Sequence, residues 1–296
     1  MIIGVPAFNE RLNIGRLLDS LLECCRNDSR IGMICVISSS TDKTNDVVRH
    51  YSSIDPRVIL LTEKQRRGKT SAWNELMRLS ETERFDALVY MGADNLPGRG
   101  AISLLLDQLK GKLGLVGARP VAVDRKNCFL GWYAHLQWNI HHLVNQRVKP
   151  KVSGEMCAMR VGVVREMPPG LINDDAYLER LFEIRGFDVA YCPQAIVYLK
   201  GPSTVSDLIR QRRRIYIGHH QLRMYTGQKP STIWYSSLKL LREAMPSRGP
   251  RQWIYLILSI FLQALIYLIA KADFFVGNLP YKWRMAASTK ALRFGI

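Results

Sequence analysis

Three short acidic and basic groupings in this chain have residue types and spacings that can do chemistry. Asp94 lies in Gly92-Ala93-Asp94-Asn95, directly after the apolar run Leu88–Met91. A carboxylate at that position can hold a divalent cation that grips a diphosphate. Asp-Asn before Leu-Pro-Gly is also ordinary turn chemistry, so the four residues alone leave both roles open. Asp174-Asp175 opens a helical pattern after Pro168-Pro169-Gly170. Two carboxylates there can cap the helix, or one can serve as a general base. Gln211-Arg212-Arg213-Arg214 sits inside a long basic helical pattern. At helical spacing the three arginines fan around more than half the circumference. One or two must therefore face the protein or a ligand, and a guanidinium fork suits phosphate oxygens. A solvated or headgroup-facing surface is the other reading.

One motif fails on spacing. Arg67-Gly68-Lys69-Thr70 contains the Gly-Lys-Thr of a phosphate-binding loop, but the full pattern needs glycine at position 63, which is Glu63. The six cysteines include no C-x-x-C pair in a chain of 296 residues, so free thiols in a reducing compartment are expected rather than a disulfide framework or zinc site. The five residues before Pro6 are too few for a signal-peptide apolar core.

The elements that must carry these groups alternate. Strands are expected over Ile2–Val5, Met33–Ile37, Val58–Thr62, Leu88–Met91 and Leu113–Gly117, with helices between them over Asn13–Cys25, Asp42–Tyr51, Ser71–Leu79 and Ala101–Lys110. This alternation predicts an α/β fold, a mostly parallel sheet covered by helices, with ligands at the carboxyl ends of the strands. The second half reads differently. Phe129–Val144 is an aromatic helix with Trp132, Tyr133, Trp138 and three histidines. Asp188–Tyr191 and Ile196–Tyr198 read as two short strands, and Val205–Tyr225 as the basic helix.

Charge and hydropathy separate the C-terminal region. The chain carries 42 basic and 25 acidic side chains, a net charge of +17. Residues 1–200 are nearly balanced at net +5, whereas residues 201–251 hold 10 basic and 2 acidic side chains. Such a patch can meet nucleic acid, anionic lipid or a phosphorylated substrate. No helix-turn-helix, zinc or RNA-binding signature accompanies it, so nucleic acid is not expected as a partner. Thr232–Met245 has an amphipathic pattern suited to a membrane surface. Ile254–Ala270 has no charge over 17 residues, a helix of about 26 Å against a hydrocarbon core of about 30 Å. Both of its flanks are basic (Arg248 and Arg251 before, Lys282, Arg284, Lys290 and Arg293 after), so one clean span and a bent insertion over Ile254–Leu279 are equally open.

In order and spacing, the groupings resemble a family-2 glycosyltransferase of the GT-A (Rossmann-like) fold over roughly Ile2 to His220. Val5-Pro6-Ala7-Phe8-Asn9-Glu10 is similar to the family's opening nucleotide loop, and Ser38-Ser39-Ser40-Thr41-Asp42 to its D-G-S-T-D turn. Arg67 to Asn74 resembles its G-K-x-x-A-x-N segment, and Gly92-Ala93-Asp94 stands where D-x-D belongs. Ser153-Gly154-Glu155 precedes the strand lining the acceptor site. Asn173 to Leu178 resembles E-D-x-x-L, and Gln211 to Ile215 resembles Q-x-x-R-W. Three positions depart: Ser38 and Gly92 replace aspartates, and Ile215 replaces tryptophan.

The resemblance implies an inverting, metal-dependent transfer from a UDP- or GDP-sugar. It implies Pro6, Phe8, Glu10, Ser38, Lys69, Asp94, Gln211, Arg212 and Arg214 on the donor, with Asp94 on Mg²⁺ or Mn²⁺. Asp175 is implied as the base, and Gly154, Glu155 and Asp174 on the acceptor side. The expected acceptor is a hydroxyl of a membrane glycolipid or lipid-linked saccharide. Residues 1–226 form the expected catalytic domain, and residues 227–296 a membrane-associating region of amphipathic and membrane-embedded helices. They would hold the catalytic domain to an anionic cytoplasmic membrane face. Two alternatives stand beside this: a polyprenyl-phosphate glycosyltransferase, and a catalytically inactive, membrane-tethered binding protein on the same scaffold.

Overall fold

The computed structural model describes residues 1–227 and 238–279. The expected interface helix therefore falls partly outside the described residues, and the basic tail of Lys282, Arg284, Lys290 and Arg293 lies wholly outside them.

The N-terminal half alternates β1 (Ile2–Ala7), α1 (Ile14–Asn27), β2 (Met33–Ser38), α2 (Thr44–Ile54), β3 (Val58–Thr62), α3 (Lys69–Thr82) and β4 (Ala87–Met91). It continues through β5 (Leu96–Pro97), α4 (Ala101–Gln108), β6 (Leu113–Ala122), α5 (Phe129–Arg147), β7 (Met156–Arg160) and α6 (Asp174–Ile184). The remaining described elements are β8 (Asp188–Leu199), α7 (Val205–Thr226), α8 (Leu238–Ala244) and α9 (Pro250–Phe275). The strands form one sheet in the order β3-β2-β1-β4-β7-β6-β8-β5.

The sheet is buried on both faces, which is why its strands read as continuous apolar runs. Side chains alternate across it. Ile3, Val5, Ile34, Val36, Val89 and Met91 pack under α1 and α4. Ile2, Cys35, Ile37, Leu88 and Tyr90 pack against Trp73 and Leu76 of α3 and Phe182 of α6. Ile14, Leu17, Leu18, Leu21, Leu22 and Cys25 recur at three- and four-residue steps, so α1 presents one unbroken stripe to the sheet.

The β3-β2-β1-β4 half is parallel, as the alternation predicts. The full sheet is mixed, because β7 enters antiparallel between β4 and β6. The two short strands expected over Asp188–Tyr191 and Ile196–Tyr198 are one strand, β8. It pairs parallel with β6, and its register shifts where Ala118 faces Cys192 and Arg119 faces Ile196. All six cysteines are free, and Cys128 is the exposed one.

Helix α9 is 26 residues long with a mean hydropathy of 2.2 over its most apolar stretch. One side packs on α5 and α7 and the other is exposed. It is long and apolar enough to cross a membrane.

Candidate active site

The strand ends and helix starts enclose a cleft of about 880 Å³ at the carboxyl edge of the sheet. Its first wall is the β1–α1 loop, where Pro6, Phe8 and Glu10 line the space. Asn9 shapes this loop. It takes a left-handed backbone at φ 56, and its Oδ1 accepts from Thr41 N at 2.8 Å. Its own N–H donates to Ser40 Oγ at 2.9 Å. Asparagine tolerates that conformation better than most residues. Glu10 is buried, accepting from Asn13 Nδ2 at 3.0 Å, so its carboxylate is held inside the loop. Arg66 covers Phe8, its guanidinium 4.1 Å from the ring centroid, and both line the cleft.

Ser38 does not face this space. It is fully buried, and its hydroxyl donates to Ser40 Oγ at 2.8 Å, while the next residue, Ser39, lines the cleft.

The sheet register brings the central acids together. In the β4–β7 pair, Met91 faces Met156. The loop after β4 therefore meets the residues just before β7, and Asp94 and Glu155 line the same part of the cleft. Asn95 fixes them, donating through Nδ2 to both the carbonyl and Oε2 of Glu155 at 2.9 Å each. Burial raises the Glu155 pKa to about 7, and the Asp94 charge adds to it. Burial raises Asp94 too. Two carboxylates are thus crowded in a dry place, with the Lys69 charge opposing burial at both, and the pair fits a hard divalent cation. Among the described residues no group of three His, Cys, Asp or Glu side chains converges as a complete metal site. The remaining ligands would be water and substrate oxygens, the usual arrangement for Mg²⁺ on nucleotides.

Gly92 belongs to this geometry. A Cβ there would sit 2.9 Å from Asn95 Nδ2 and 3.0 Å from Asp94 Oδ1. The folded-back Asp94-Asn95 turn leaves no room for the aspartate that the resemblance places at this position.

The start of α6 separates the two adjacent aspartates. Asp174 borders the cleft but is only 3% exposed as a residue. It pairs with Lys69 Nζ at 3.0 Å and accepts from Trp73 Nε1. Trp73 stacks on Tyr90 at 3.6 Å, so Lys69, Trp73 and Asp174 tie α3 to α6 over the sheet. Asp175 points into the cleft. Its Oδ2 accepts from Gly154 N at 2.9 Å and its Oδ1 from Ala176 N at 2.8 Å. A Cβ at Gly154 would lie 2.6 Å from Lys69 Nζ, so a side chain there would push the lysine head aside.

Arg212, Arg213 and Arg214 of the basic helix α7 all line the cleft with Gln211. Arg213 is tied to Asp273 of α9. Burial pulls the Arg214 pKa down to about 9, against the opposing pull of Asp174, Asp175 and Glu155. The guanidinium stays charged at neutral pH beside those acids. Arg212 Nε donates to Gln263 Oε1 of α9 at 3.3 Å.

The cleft continues into a second lobe between α5 and α7, lined by Tyr133, Trp138, His141 and His219. Burial holds His141 down at about 3, with the Lys151 charge adding to it, and holds His219 well below its ordinary value. Both histidines are neutral at pH 7. The aromatic and histidine-rich pattern of Phe129–Val144 marked this helix in the sequence, but spacing alone did not show that one face of it walls the site.

Residues 1–218 match the family model described as glycosyltransferase like family 2. A probable glycosyltransferase, YdaM of Bacillus subtilis (strain 168), is 24% identical over 225 residues, which is 71% of this chain and 53% of the relative. The chain therefore spans about half the length of that curated relative. The mannosyltransferase PcManGT from Pyrobaculum calidifontis, solved with GDP-Man and Mn²⁺, has a TM-score of 0.63 at 18% identity, covering 93% of this chain and 86% of its own. Glucosyl-3-phosphoglycerate synthase from Mycobacterium tuberculosis, solved with Mn²⁺, UDP and glucosyl-3-phosphoglycerate, has a TM-score of 0.54 at 18% identity, covering 78% and 81%. These structures share the GT-A-like fold, and the match over 1–218 shows that the chain belongs to glycosyltransferase family 2.

Proposed function

We propose that the protein moves a sugar from a nucleotide diphosphate onto a hydroxyl of a membrane glycolipid or lipid-linked saccharide, with inversion at the anomeric carbon. The observation that carries this reading is the convergence of Asp94, Glu155, Asp175, Arg212 and Arg214 on one cleft. The structural relatives solved with GDP-Man or UDP and with Mn²⁺ support a nucleotide-sugar donor and a divalent cation.

Pro6, Phe8 and Glu10 form the wall for the nucleotide, with Arg66 as a lid on Phe8. Asp94 and Glu155 would hold Mg²⁺ or Mn²⁺, which supplies positive charge against the departing diphosphate. Arg212 and Arg214, with Gln211 beside them, place further positive charge along the same wall and exclude water from the donor. Asp175 takes the proton of the acceptor hydroxyl as the new C1–O bond forms. The bond from C1 to the diphosphate breaks, and attack from the opposite face inverts the centre. Gly154 N–H fixes the Asp175 carboxylate without consuming all its lone pairs. Lys69 acts through Asp174 as a positioning residue. The second lobe, with the half-buried Trp138, offers an aromatic surface for an acceptor saccharide.

Residues 1–226 form the catalytic unit in this reading. Residues 227–296 mount it on an anionic cytoplasmic membrane face, with α9 as the apolar contact.

Transfer to a polyprenyl phosphate is a second reading, favoured by Lys151, Lys200 and Arg210 in the cleft wall. A phosphate oxygen is already anionic and needs no base. Incubation with UDP- and GDP-sugars, Mn²⁺ and a lipid extract tests the proposal. Sugar incorporation into the lipid fraction is expected; no transfer and no donor hydrolysis with any sugar would favour an inactive scaffold.

A further inference from the structure

We infer that α9 does not cross the bilayer but lies flat in a single leaflet, its inner face on the catalytic domain and its outer face in lipid. This rests on the membrane mounting proposed above and specifies its geometry.

The inner face is occupied by protein along nearly the whole helix. Tyr255 meets the Trp132 ring at 5.8 Å, and Leu256 packs with Trp132 and Leu136 of α5. At the middle of the helix, Gln263 accepts from Tyr216 Oη at 2.5 Å and from Arg212 Nε at 3.3 Å, and donates to Tyr133. Ile266 and Ala270 pack on Tyr216 and Ile217 of α7. Asp273 holds Arg213, and Phe274 lies 5.2 Å from the His220 ring. From Tyr255 to Phe274 this is about 28 Å of helix in continuous contact with the domain.

A spanning helix needs hydrocarbon or membrane-compatible protein around it for about 30 Å. Carrying α9 through the bilayer would carry α7 with it, and α7 presents Arg210, Arg212, Arg213, Arg214 and Arg223. Five guanidinium groups on one helix are not accommodated in the hydrocarbon core.

The outer face fits lipid. Ile254, Ile257, Phe261, Leu265, Leu268 and Phe275 are exposed at three-, four- and seven-residue steps. Arg248 and Arg251 stand exposed at one end and Lys271 near the other, with Trp253 at the first turn. Cationic side chains at both rims, with an indole at the first, match an anionic headgroup layer. A flat helix also resolves the basic flanks, since both ends then stay on the same side of the membrane. Because Gln263 touches Tyr133 and Arg212, which line the cleft, α9 is the partition between the lipid and the site.

The test uses the full chain with Cys128→Ser, so that the remaining native cysteines are buried or half-buried. Thr82→Cys marks the catalytic domain, and Arg248→Cys or Leu279→Cys is added to mark one end of α9. Each double variant is placed in sealed phosphatidylglycerol–phosphatidylcholine vesicles. An impermeant maleimide of one mass is applied outside, and one of another mass follows permeabilisation. A flat helix puts the same tag on both cysteines of every molecule, in both variants. Mixed tags within single molecules for either end mean a span and overturn the inference, while the membrane reading stands. A chain left in the supernatant when vesicles sediment, whether single or as a dimer joined through the apolar stripe, overturns both. Donor binding, measured separately by thermal shift, would then still report on the catalytic reading.

Discussion

The backbone N–H of Gly154 donates to Asp175 Oδ2 at 2.9 Å, while the neighbouring Asp174 pairs with Lys69 Nζ at 3.0 Å. Two adjacent carboxylates thereby take different tasks. Asp175 faces the cleft with its orientation set by backbone donors. Asp174 is a buried fastener between α3 and α6.

The fastener has a measurable cost of removal. Asp174→Ala leaves Lys69 beside the acids without its closest partner and leaves Trp73 Nε1 without its acceptor. Breaking a buried pair costs about 3–5 kcal/mol, and the low end, about 3 kcal/mol, is expected because Lys69 keeps 28% exposure. Urea unfolding should show a shifted midpoint with an unchanged slope. An unchanged midpoint would mean that Asp174 holds nothing together.

Gly92 gives a prediction opposite to the one the motif suggests. Gly92→Asp restores the aspartate seen in the family pattern, yet its Cβ would press on Asn95 Nδ2 and Asp94 Oδ1. Overpacking of this kind costs about 1–3 kcal/mol. The variant should have a lower Tm and weaker Mn²⁺-dependent donor binding than the parent chain. Tighter metal binding would show that the turn can open to admit the second carboxylate.

Acid should loosen the second lobe before it affects the rest of the core. His141 is held at about 3 and His219 well below its usual value, whereas in the unfolded chain both titrate near 6.5. Below pH 6.5 the unfolded state therefore binds more protons, and stability falls as pH drops toward 3. Urea midpoints at pH 7.5 and pH 5 should differ in that direction, and His141→Phe should narrow the gap. A gap unaffected by that change would assign the acid sensitivity to other groups.

Metal and nucleotide should act together. With Mn²⁺ present, the matching nucleoside diphosphate should raise Tm, a gain of about 2.7 kcal/mol at a hundredfold excess over its Kd. A chelator should remove most of the shift, and Asp94→Asn should abolish the metal-dependent part. UDP, GDP and CDP compared side by side would also identify the base. Equal shifts with and without metal would remove Asp94 from the proposed role.

Much of the fold was legible because a doubly covered parallel sheet writes itself as apolar runs separated by amphipathic helices. The α1 stripe and the β1, β2 and β4 runs are local patterns. The antiparallel insertion of β7 was not legible, since it depends on which strand edge is free rather than on Met156–Arg160 itself. That insertion carries Glu155, expected on the acceptor side, to Asp94. Ser38 ends β2 and is buried while Ser39 follows it and lines the cleft, a one-residue difference that a motif comparison does not resolve. The different partners of Asp174 and Asp175 depend on Trp73 and Gly154, residues far away in sequence. Helix α9 was visible as an apolar run, but its protein-facing side was hidden, because Gln263 and Asp273 find their partners on α5 and α7.

Asp175→Asn tests the central claim most directly. The substitution keeps the size and the acceptor oxygen for Gly154 N–H but removes the proton acceptor. General-base catalysis typically contributes about 10²- to 10⁴-fold. Sugar transfer to the hydroxyl acceptor should fall by that factor, while the Tm gain from Mn²⁺ and nucleoside diphosphate stays as in the parent chain. Transfer at the parental rate in Asp175→Asn, together with its loss in Asp94→Asn, would contradict the base assignment and point to an anionic phosphate acceptor instead.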